Sequence, residues 1–337
     1  MEQIAIGDSG LMTSRVGLGT WAIGGWMWGG TDEAQSIATI RAAVERGVTL
    51  IDTAPVYGFG RSEEIVGKAL AEGGLRDKVQ IASKVGLGWK DGRVYRDSRP
   101  VRIRQEIEDS LRRLRTDAID LYQVHWPDIE TPFAETARTL EALRREGKIR
   151  AIGVSNYSPA QMEAFRRVTR LDAVQPPYNL FEREIEADVL PYAANSRLTV
   201  LSYGALCRGL LSGRITSETT FDGDDLRKVD PKFQGDRLRQ YVSAVDALKT
   251  LARERFGKSV LALAVRWVLD QGPTIALWGA RHPGQLAPIE EVDGWRIDAG
   301  TMKDIDAILK RCVTSPVSPE FMAPPLRRAS EQQRSAA

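Results

Sequence analysis

Short apolar runs alternate with amphipathic stretches along this chain of 337 residues, and the alternation limits its fold more than any other feature. Eight runs have the length and composition of buried strands: residues 16–19, 49–52, 79–84, 119–125, 149–155, 173–176, 199–203 and 274–278. Helical stretches lie between them: residues 32–47, 62–75, 100–114, 133–146, 159–168, 186–195 and 239–270, the last broken near Gly257. An apolar run followed by a helical stretch is typical of one strand–helix unit.

Fully apolar strands that alternate with helices are typical of parallel sheets covered on both faces. Eight such units predict an α/β fold, a closed (β/α)8 TIM barrel with an N-terminal β-hairpin and C-terminal extra helices. The alternative is an open doubly wound sheet, which requires a three-glycine phosphate turn after its first strand. Residues 17–19 and 58–60 match that turn only in part, since neither continues to a third glycine. The barrel is therefore the favoured fold.

The segments outside these units have predictions of their own. Residues 3–16 predict a hairpin that turns at 7–10, and residues 1–325 predict a single domain. The tail, residues 326–337, is expected to be disordered because it has little to bury. Ser62 is a candidate N-cap of the second helix. Three connections have the length typical of functional loops: residues 20–31, 85–100 and 213–236.

The composition argues against several classes of function. A formal net charge of +2 gives no general attraction to nucleic acid, and no stretch approaches the ~20 apolar residues of a membrane span. Two cysteines far apart in sequence and only two histidines predict neither a disulfide framework nor a metal centre. The chain does not begin like a signal peptide, so we expect a cytoplasmic protein without nucleic-acid or membrane partners. The composition is compatible with a monomer and with a homo-oligomer.

Four polar residues lie at or just beyond the ends of consecutive predicted strands: Asp52, Tyr57, Lys84 and His125. Catalytic residues of barrels gather at such strand ends. Lys84 ends an apolar strand that tolerates an ammonium group only beside a carboxylate, which Asp52 can supply. A nearby ammonium lowers the pKa of a tyrosine, which can then protonate a developing alkoxide, while an imidazole orients the carbonyl oxygen. Alone, the aspartate is more typical of a helix cap, the tyrosine of loop packing, and the lysine and histidine of a barrel rim, but the set predicts carbonyl reduction.

Five motifs surround these residues. They are Leu-Ile-Asp-Thr-Ala-Pro-Val-Tyr-Gly-Phe-Gly-Arg-Ser-Glu at 50–63, Ala-Ser-Lys at 82–84, Leu-Tyr-Gln-Val-His-Trp-Pro-Asp at 121–128, Gly-Lys-Ile-Arg-Ala-Ile-Gly-Val-Ser-Asn at 147–156 and Gln-Pro-Pro-Tyr-Asn at 175–179. In order and spacing they resemble the aldo-keto reductase superfamily, over about residues 17–286. The resemblance implies a (β/α)8 barrel that binds NADP(H) without a Rossmann domain. It also implies that Asp52, Tyr57, Lys84 and His125 form the catalytic tetrad.

The resemblance also implies which residues bind the cofactor. Tyr203 would stack on the nicotinamide, and Gln175 would hold its carboxamide with Ser155 and Asn156. Arg281 is placed for a 2′-phosphate, which favours NADP over NAD, and the segment after Tyr203 would cover the pyrophosphate. The implied cofactor-binding residues are Gly19, Thr20, Trp21, Asp52, Ser155, Asn156, Gln175, Tyr203, Gly204, Ala205, Leu206, Cys207, Arg208, Leu210, Gly279, Ala280, Arg281 and Gln285.

Motifs toward the C-terminus resemble the bacterial family-11 branch, which includes general stress proteins and glycerol dehydrogenases that reduce glyceraldehyde. They are Ala-Leu-Trp-Gly-Ala-Arg at 276–281 and Pro-Glu-Phe-Met-Ala-Pro-Pro at 319–325. Gly204 and Ala205 stand where many relatives have a Ser-Pro pair, and Ile289 stands where relatives often have an asparagine, so the resemblance is weaker at the adenine end of the cofactor.

The implied activity is NADPH-dependent reduction of aldehydes and ketones to alcohols. Short hydroxyaldehydes such as glyceraldehyde are the implied substrates, and polyol or glycerol oxidation is the reverse reaction at alkaline pH. The small-molecule carbonyl substrate would contact an aromatic pocket: Trp21, Trp28, Tyr57, Trp89, His125 and Trp126.

Two other functions remain open at this point. Some members of the superfamily are cofactor-sensing regulatory subunits of low turnover, although the intact tetrad and the lack of an added interaction domain argue against that role. A phosphate-binding barrel such as an isomerase or aldolase would use Lys84 to form a Schiff base, which the matches at Asp52 and Tyr57 disfavour.

Overall fold

The structure is a computed structural model that describes residues 1–328. Within these residues the strands are β1 Gln3–Ala5, β2 Met12–Ser14, β3 Val16–Gly19, β4 Leu50–Asp52, β5 Gln80–Val85, β6 Leu87–Lys90, β7 Arg93–Arg96, β8 Ile119–Val124, β9 Ile149–Ser155, β10 Ala173–Gln175, β11 Thr199–Ser202 and β12 Thr274–Gly279. The helices are α1 Glu33–Glu45, α2 Arg61–Glu72, α3 Pro100–Leu114, α4 Phe133–Arg145, α5 Pro159–Arg166, α6 Val189–Asn195, α7 Gly235–Phe256, α8 Val260–Leu269 and α9 Ala299–Cys312.

Eight parallel strands close into a barrel in the order β3-β4-β5-β8-β9-β10-β11-β12, with β12 paired back to β3. The predicted (β/α)8 barrel is therefore confirmed. Each barrel strand begins and ends within one residue of its predicted bounds. Because all eight strands run in one direction, their carboxyl ends lie on one face of the barrel, where catalytic residues gather in this fold.

Successive side chains of the strands pack on opposite sides of the barrel wall. Leu50, Leu121 and Leu201 belong to the cluster inside the barrel, whereas Ile51, the neighbour of Leu50, belongs to the larger cluster between strands and helices. Ile6 of the predicted hairpin is fully buried in the inner cluster. The hairpin β1–β2 therefore closes the amino-terminal end of the barrel and leaves the other end open.

Two helix predictions have different outcomes. The break in the long segment before β12 is confirmed, since α7 ends at Phe256 and its C-cap, Gly257, has a φ of +63°. The prediction that Ser62 caps α2 is wrong, because the N-cap is Gly60 and Ser62 lies inside the first turn. The Ser62 hydroxyl is fully buried and bonds the Thr20 hydroxyl at 2.7 Å. It therefore joins α2 to the loop after β3 instead of capping the helix.

The segment 85–100, expected to be a long loop, forms the antiparallel hairpin β6–β7. The C-terminal segment runs beside it: the Arg96 N–H donates to the Pro325 carbonyl at 3.0 Å, and Arg327 bonds Asp97 at 3.2 Å. Leu326 pairs with Arg96 in an isolated bridge, so the first residues of the predicted tail make contacts. Residues 329–337 lie outside the described residues, and their disorder stays a prediction.

None of the helices between residues 1 and 328 is long and apolar enough to cross a membrane. The same residues contain no group of three or more His, Cys, Asp and Glu side chains arranged to hold a metal ion. Cys207 and Cys312 are free thiols.

Candidate active site

The four residues predicted to carry the chemistry meet at the open end of the barrel. Asp52 ends β4, Lys84 lies in β5 and His125 directly follows β8. Tyr57 follows in the turn between β4 and α2. Lys84 Nζ donates to Asp52 Oδ1 at 2.6 Å and to Tyr57 Oη at 3.2 Å. The rings of Tyr57 and His125 meet edge to face, with centroids 5.7 Å apart.

Lys84 is fully buried, and its ammonium group has a partner for each of its three protons. Asp52 and Tyr57 accept two of them, and the Thr53 carbonyl accepts the third at 3.0 Å. Burial lowers the pKa of Lys84, and the Asp52 carboxylate partly offsets that effect. Three partners in different directions fix Nζ next to the Tyr57 hydroxyl.

The turn that carries Tyr57 packs directly against the loop after β3. A Cβ atom added at Gly58 would lie 2.1 Å from the Gly24 carbonyl oxygen, and Gly58 has a φ of +66°. A Cβ atom added at Gly24 would lie 2.6 Å from the Tyr57 carbonyl. Only glycines allow this approach. The contact fixes the backbone of Tyr57, and Trp21 stacks on its ring with centroids 6.0 Å apart.

The Tyr57 side chain is a protonated phenol in this environment. Burial raises its pKa well above the usual value of about 10, and the charge of Asp52 adds to the rise. The pKa of Tyr57 therefore shifts in the direction opposite to the predicted one, because burial and the Asp52 charge both raise it. Since Tyr57 Oη accepts a hydrogen bond from Lys84, its own proton is free to be donated to a ligand.

His125 is a neutral imidazole beside these groups. Burial lowers its pKa well below the usual value, and the positive charge of Lys84 adds to the effect. The backbone of His125 is held on both sides: its N–H donates to the Val85 carbonyl at 2.8 Å, and its carbonyl accepts from Asn156 Nδ2 at 3.0 Å. A neutral imidazole retains one N–H that can donate to a carbonyl oxygen.

A cleft of about 400 Å³ opens beside Asp52 and Tyr57. Many residues predicted to contact cofactor or substrate line it: Gly19, Thr20, Trp21, Trp28, Tyr203, Gly204, Leu206, Arg208, Gly279, Ala280, Arg281 and Gln285. These residues follow or end β3, β11 and β12. Because the barrel closes by pairing β12 with β3, segments from opposite ends of the chain share one cleft.

Three other predicted cofactor residues, Ser155, Asn156 and Gln175, are linked to the cleft through Tyr203. Tyr203 Oη donates to Asn156 Oδ1 at 2.9 Å, and Asn156 Nδ2 donates to Ser155 Oγ at 3.0 Å. Ser155 Oγ donates in turn to the Gln175 carbonyl at 2.7 Å. This chain of bonds fixes the Tyr203 ring at the cleft wall. Three more predicted residues pack their side chains in the core, which leaves only their backbone groups for a ligand: Ala205, Cys207 and Leu210.

Trp89 and Trp126, also predicted to contact substrate, pack beside Tyr57 in a separate apolar cluster. The Arg102 guanidinium lies over the Trp89 ring at 5.2 Å, and that of Arg96 lies over the Trp126 ring at 5.3 Å. The fully or largely buried members of this cluster are Ala54, Val56 and Leu87. Both tryptophans are therefore next to the tetrad, on the side of the β6–β7 hairpin.

Arg208 and Arg281 line the cleft, but their guanidinium groups bind protein atoms. Arg208 is bonded to Glu182 at 3.0 Å and to Asp230 at 2.6 Å. Arg281 donates to the carbonyl oxygens of two residues in the loop after β3: Trp28 at 2.9 Å and Gly30 at 2.6 Å. A phosphate that reaches Arg281 therefore has to compete with those carbonyls.

Sequence reasoning missed two further arginines of the cleft, Arg214 and Arg227. Arg227 is paired with Asp225 at 2.7 Å, and its guanidinium lies over the Trp28 ring at 5.2 Å. Arg214 is exposed, and no other residue of the described part of the chain forms an ion pair with its side chain. Their place in the long loop 213–236 was the signal that could have found them.

The sequence pattern of the Aldo/keto reductase family matches residues 15–310, which include all eight barrel strands. The chain belongs to the aldo/keto reductase family. It is therefore an oxidoreductase that acts on carbonyl compounds, in a family that uses nicotinamide cofactors.

Three similar proteins place this reductase within the family. Aldo-keto reductase YhdN of Bacillus subtilis (strain 168) is 60% identical over 328 residues, 97% of this chain and 99% of YhdN. NADH-specific methylglyoxal reductase of Escherichia coli (strain K12) is 36% identical over 327 residues, 92% of this chain and 98% of its own. The solved structure of glycerol dehydrogenase AKR11B4 from Gluconobacter oxydans has a TM-score of 0.87 at 57% identity, covering 95% of this chain and 99% of that one. The resemblance to the family-11 branch is thus confirmed.

Proposed function

We propose that this reductase converts aldehydes and ketones to alcohols with NADPH, and that Tyr57 donates the proton. The proposed substrates are short hydroxyaldehydes such as glyceraldehyde, with polyol or glycerol oxidation as the reverse reaction at alkaline pH. The observation that carries the proposal is the protonated Tyr57 hydroxyl at the cleft wall, 3.2 Å from Lys84 Nζ.

Each tetrad residue has a role that follows from its surroundings. When bound, the nicotinamide supplies the hydride that reaches the carbonyl carbon. Tyr57 transfers its proton to the carbonyl oxygen as negative charge develops there. The neutral His125 donates a hydrogen bond that orients the same oxygen. Lys84, held by Asp52, stabilises the phenolate that Tyr57 becomes after the transfer.

The cleft has the chemistry that a dinucleotide phosphate requires. Its arginines supply positive charge, and Arg214 is exposed and ready to pair with an anion. Leu206 and Cys207 have φ values of −97° and 45° in succession. Such a change of hand turns neighbouring backbone N–H groups to one side and forms a concavity that binds anions. The residues present therefore fit NADPH.

The similar proteins favour small substrates. The 57% identical structure is a glycerol dehydrogenase, and the 36% identical relative reduces methylglyoxal, according to their names. In this chain Trp21 and Trp28 line the cleft and meet edge to face with ring centroids 5.5 Å apart. Two bulky rings near Tyr57 limit the space for substrate, which supports a short carbonyl compound.

Oxidation of NADPH, followed by absorbance, tests the proposal against glyceraldehyde, methylglyoxal, an aromatic aldehyde and an aldose. Assays with NADH run in parallel, because one relative is NADH-specific by name. We expect turnover of glyceraldehyde with NADPH and little with NADH, and glycerol oxidation that increases at alkaline pH. Turnover with NADH alone would overturn the cofactor proposal. Tight NADPH binding with no turnover of any aldehyde would overturn the reductase proposal.

Arg281→Ala is expected to weaken NADPH binding far more than NADH binding. A hydrogen bond to a charged group contributes about 1.5–3 kcal/mol, so the loss for NADPH is about tenfold or more. Fluorescence titration of both cofactors measures the difference, with Arg138→Ala, an exposed arginine on α4, as the matched control. Equal losses for the two cofactors would show that Arg281 acts through the Trp28 and Gly30 carbonyls and does not bind the 2′-phosphate.

A further inference from the structure

Two buried glutamines contact the second carboxylate oxygen of Asp52. Gln175 Nε2 donates to Asp52 Oδ2 at 2.8 Å, and Gln123 Nε2 approaches the same oxygen at 3.4 Å. Gln175 Nε2 also donates to Gln123 Oε1 at 3.3 Å. Asp52 Oδ1 binds Lys84. The carboxylate therefore has an ammonium group on one oxygen and a pair of amides on the other.

The barrel wall gives Gln123 the space to reach this position. Gln123 lies opposite Lys84 in the pairing of β5 with β8, and opposite Gly153 in the pairing of β8 with β9. A Cβ atom added at Gly153 would lie 2.8 Å from Gln123 Cγ. Gln123 is fully buried, and burial of an amide without hydrogen bonds costs free energy. Its contacts with Asp52 and Gln175 are what satisfy it there.

Neutral amides suit this position because they donate hydrogen bonds without adding charge. A second cation at Asp52 Oδ2 would compete with Lys84 for the carboxylate. An apolar side chain would leave that buried oxygen with fewer donors, which is costly for an ionised group. The amide pair stabilises the carboxylate and keeps Oδ1 turned toward Lys84.

We propose that Gln123 is a positioning residue for the reduction: with Gln175 it holds Asp52, and Asp52 in turn keeps Lys84 charged and beside Tyr57. The inference rests on the proposed roles of Tyr57 and Lys84. Gln123 contacts neither Tyr57 nor Lys84 in the hydrogen-bond network described above, so its effect has to pass through the Asp52 carboxylate.

Gln123→Met keeps the length of the side chain and removes the amide. We expect kcat to fall by about tenfold, because small displacements of catalytic groups are costly, while the KM for NADPH changes by less than about twofold. Burial lowers the pKa of Lys84, whereas Asp52 and Glu63 raise it. When Asp52 is held less firmly, it stabilises the charged form of Lys84 less. The alkaline limb of the pH profile of kcat should therefore move to lower pH. We expect the other titratable side chains near Lys84, those of His125 and Tyr57, to keep their contacts in this variant.

Two further variants separate positioning from packing. Gln80→Met makes the same change at the other end of β5, away from Asp52, and should leave the pH profile unchanged. Gln123→Glu introduces a carboxyl group that can donate one hydrogen bond when protonated but repels Asp52 when ionised. Its activity should therefore recover only toward acidic pH. A Gln123→Met enzyme with the wild-type pH profile, or a kcat loss matched by Gln80→Met, would overturn the proposal.

A measurement without turnover keeps this inference separate from the proposed function. Urea unfolding of Gln123→Met, Asp52→Asn and the double variant gives the coupling between the two side chains. We expect the shift in urea midpoint caused by Gln123→Met to shrink markedly when Asp52 is replaced. A second cycle uses Gln175→Met in place of Asp52→Asn. It applies the same test while Asp52 remains as the partner of Lys84. Additive shifts in both cycles would overturn the positioning role even if wild-type reduction is confirmed. Coupling would show that Gln123 holds Asp52 even if no aldehyde is reduced, and the failure would then belong to the proposed function alone.

Discussion

Replacement of Tyr57 by phenylalanine is expected to remove nearly all aldehyde reduction and to leave NADPH affinity within about threefold. A positioned general acid contributes about 10²–10⁴-fold to a rate, and the variant loses only the hydroxyl. The phenyl ring keeps its stacking with Trp21 and its edge-to-face contact with His125. Steady-state kcat/KM with glyceraldehyde measures the first effect, and fluorescence titration of NADPH measures the second.

Tyr192→Phe is the matched control for that variant. Its hydroxyl bonds Glu163 on the outside of the barrel, far from the tetrad, so its removal should leave kcat/KM unchanged. Retention of more than about a tenth of the activity by Tyr57→Phe would contradict the acid assignment, because a general acid contributes at least about a hundredfold. The proton would then come from water or from His125.

The pKa directions in the tetrad also set the expected pH dependence of the two reaction directions. Burial raises the pKa of Tyr57 and lowers that of Lys84. Tyr57 therefore keeps its proton through the neutral range, and reduction should lose activity at high pH when Lys84 loses its proton. Alcohol oxidation needs the Tyr57 phenolate as the base, so it should increase as pH rises. Opposite slopes for glyceraldehyde reduction and glycerol oxidation between neutral and alkaline pH would agree with these directions.

The barrel was predictable because its signal is local. Runs such as 149–155 are apolar apart from the exposed Arg150 and the closing Ser155, and they are bounded by turn residues. Their length therefore fixes the strand, and β9 has the predicted bounds. The hairpin β6–β7 was not predictable in the same way. Its residues include Lys90, Arg93 and Arg96, whose polar pattern is also that of a loop, and its pairing with the C-terminal segment is a long-range contact.

The tetrad was predictable in place but not in its electrostatics. Strand ends bring Asp52, Lys84 and His125 to one face of a closed barrel, whatever the loops do. The raised pKa of Tyr57 depends on how completely the surrounding segments exclude water, which no local pattern encodes. The contact of Gln123 with Asp52 depends on the space above Gly153, two strands away from Lys84.

A cluster of four buried charges behind the cleft was also invisible in the sequence. Glu182 Oε1 binds Arg208 at 3.0 Å and Lys232 at 2.8 Å, and Arg208 also binds Asp230 at 2.6 Å. Asn179 Nδ2 donates to Glu182 Oε2 at 2.6 Å. These residues come from three separate segments, and no local pattern in any of them indicates that their charges meet. Together they tie the segment after Tyr203, where Arg208 has a φ of +53°, to the loop 213–236.

Glu182→Gln is expected to lower the free energy of unfolding by about 3 kcal/mol, because removing one charge from a buried ion pair leaves its partners uncompensated. Two cations, Arg208 and Lys232, would then share the single carboxylate of Asp230. Urea unfolding measures the loss, and Glu184→Gln, an exposed residue two positions on, is the matched control. NADPH affinity should fall as well, because Arg208 and its neighbours form a wall of the cleft.

The pH dependence of stability distinguishes this charge effect from a packing effect. Burial raises the pKa of Glu182, but Arg208 and Lys232 outweigh burial and hold it below its usual value. A carboxyl group whose pKa is lower in the folded state stabilises the protein fully above its unfolded pKa of about 4.3. That contribution is lost as pH falls through the folded pKa. The difference between the wild type and Glu182→Gln should therefore be largest near neutral pH, begin to shrink as pH falls below about 4.3, and disappear below the folded pKa. A difference that stays constant across this range would show that Glu182 stabilises the fold through its shape and hydrogen bonds and not through its charge.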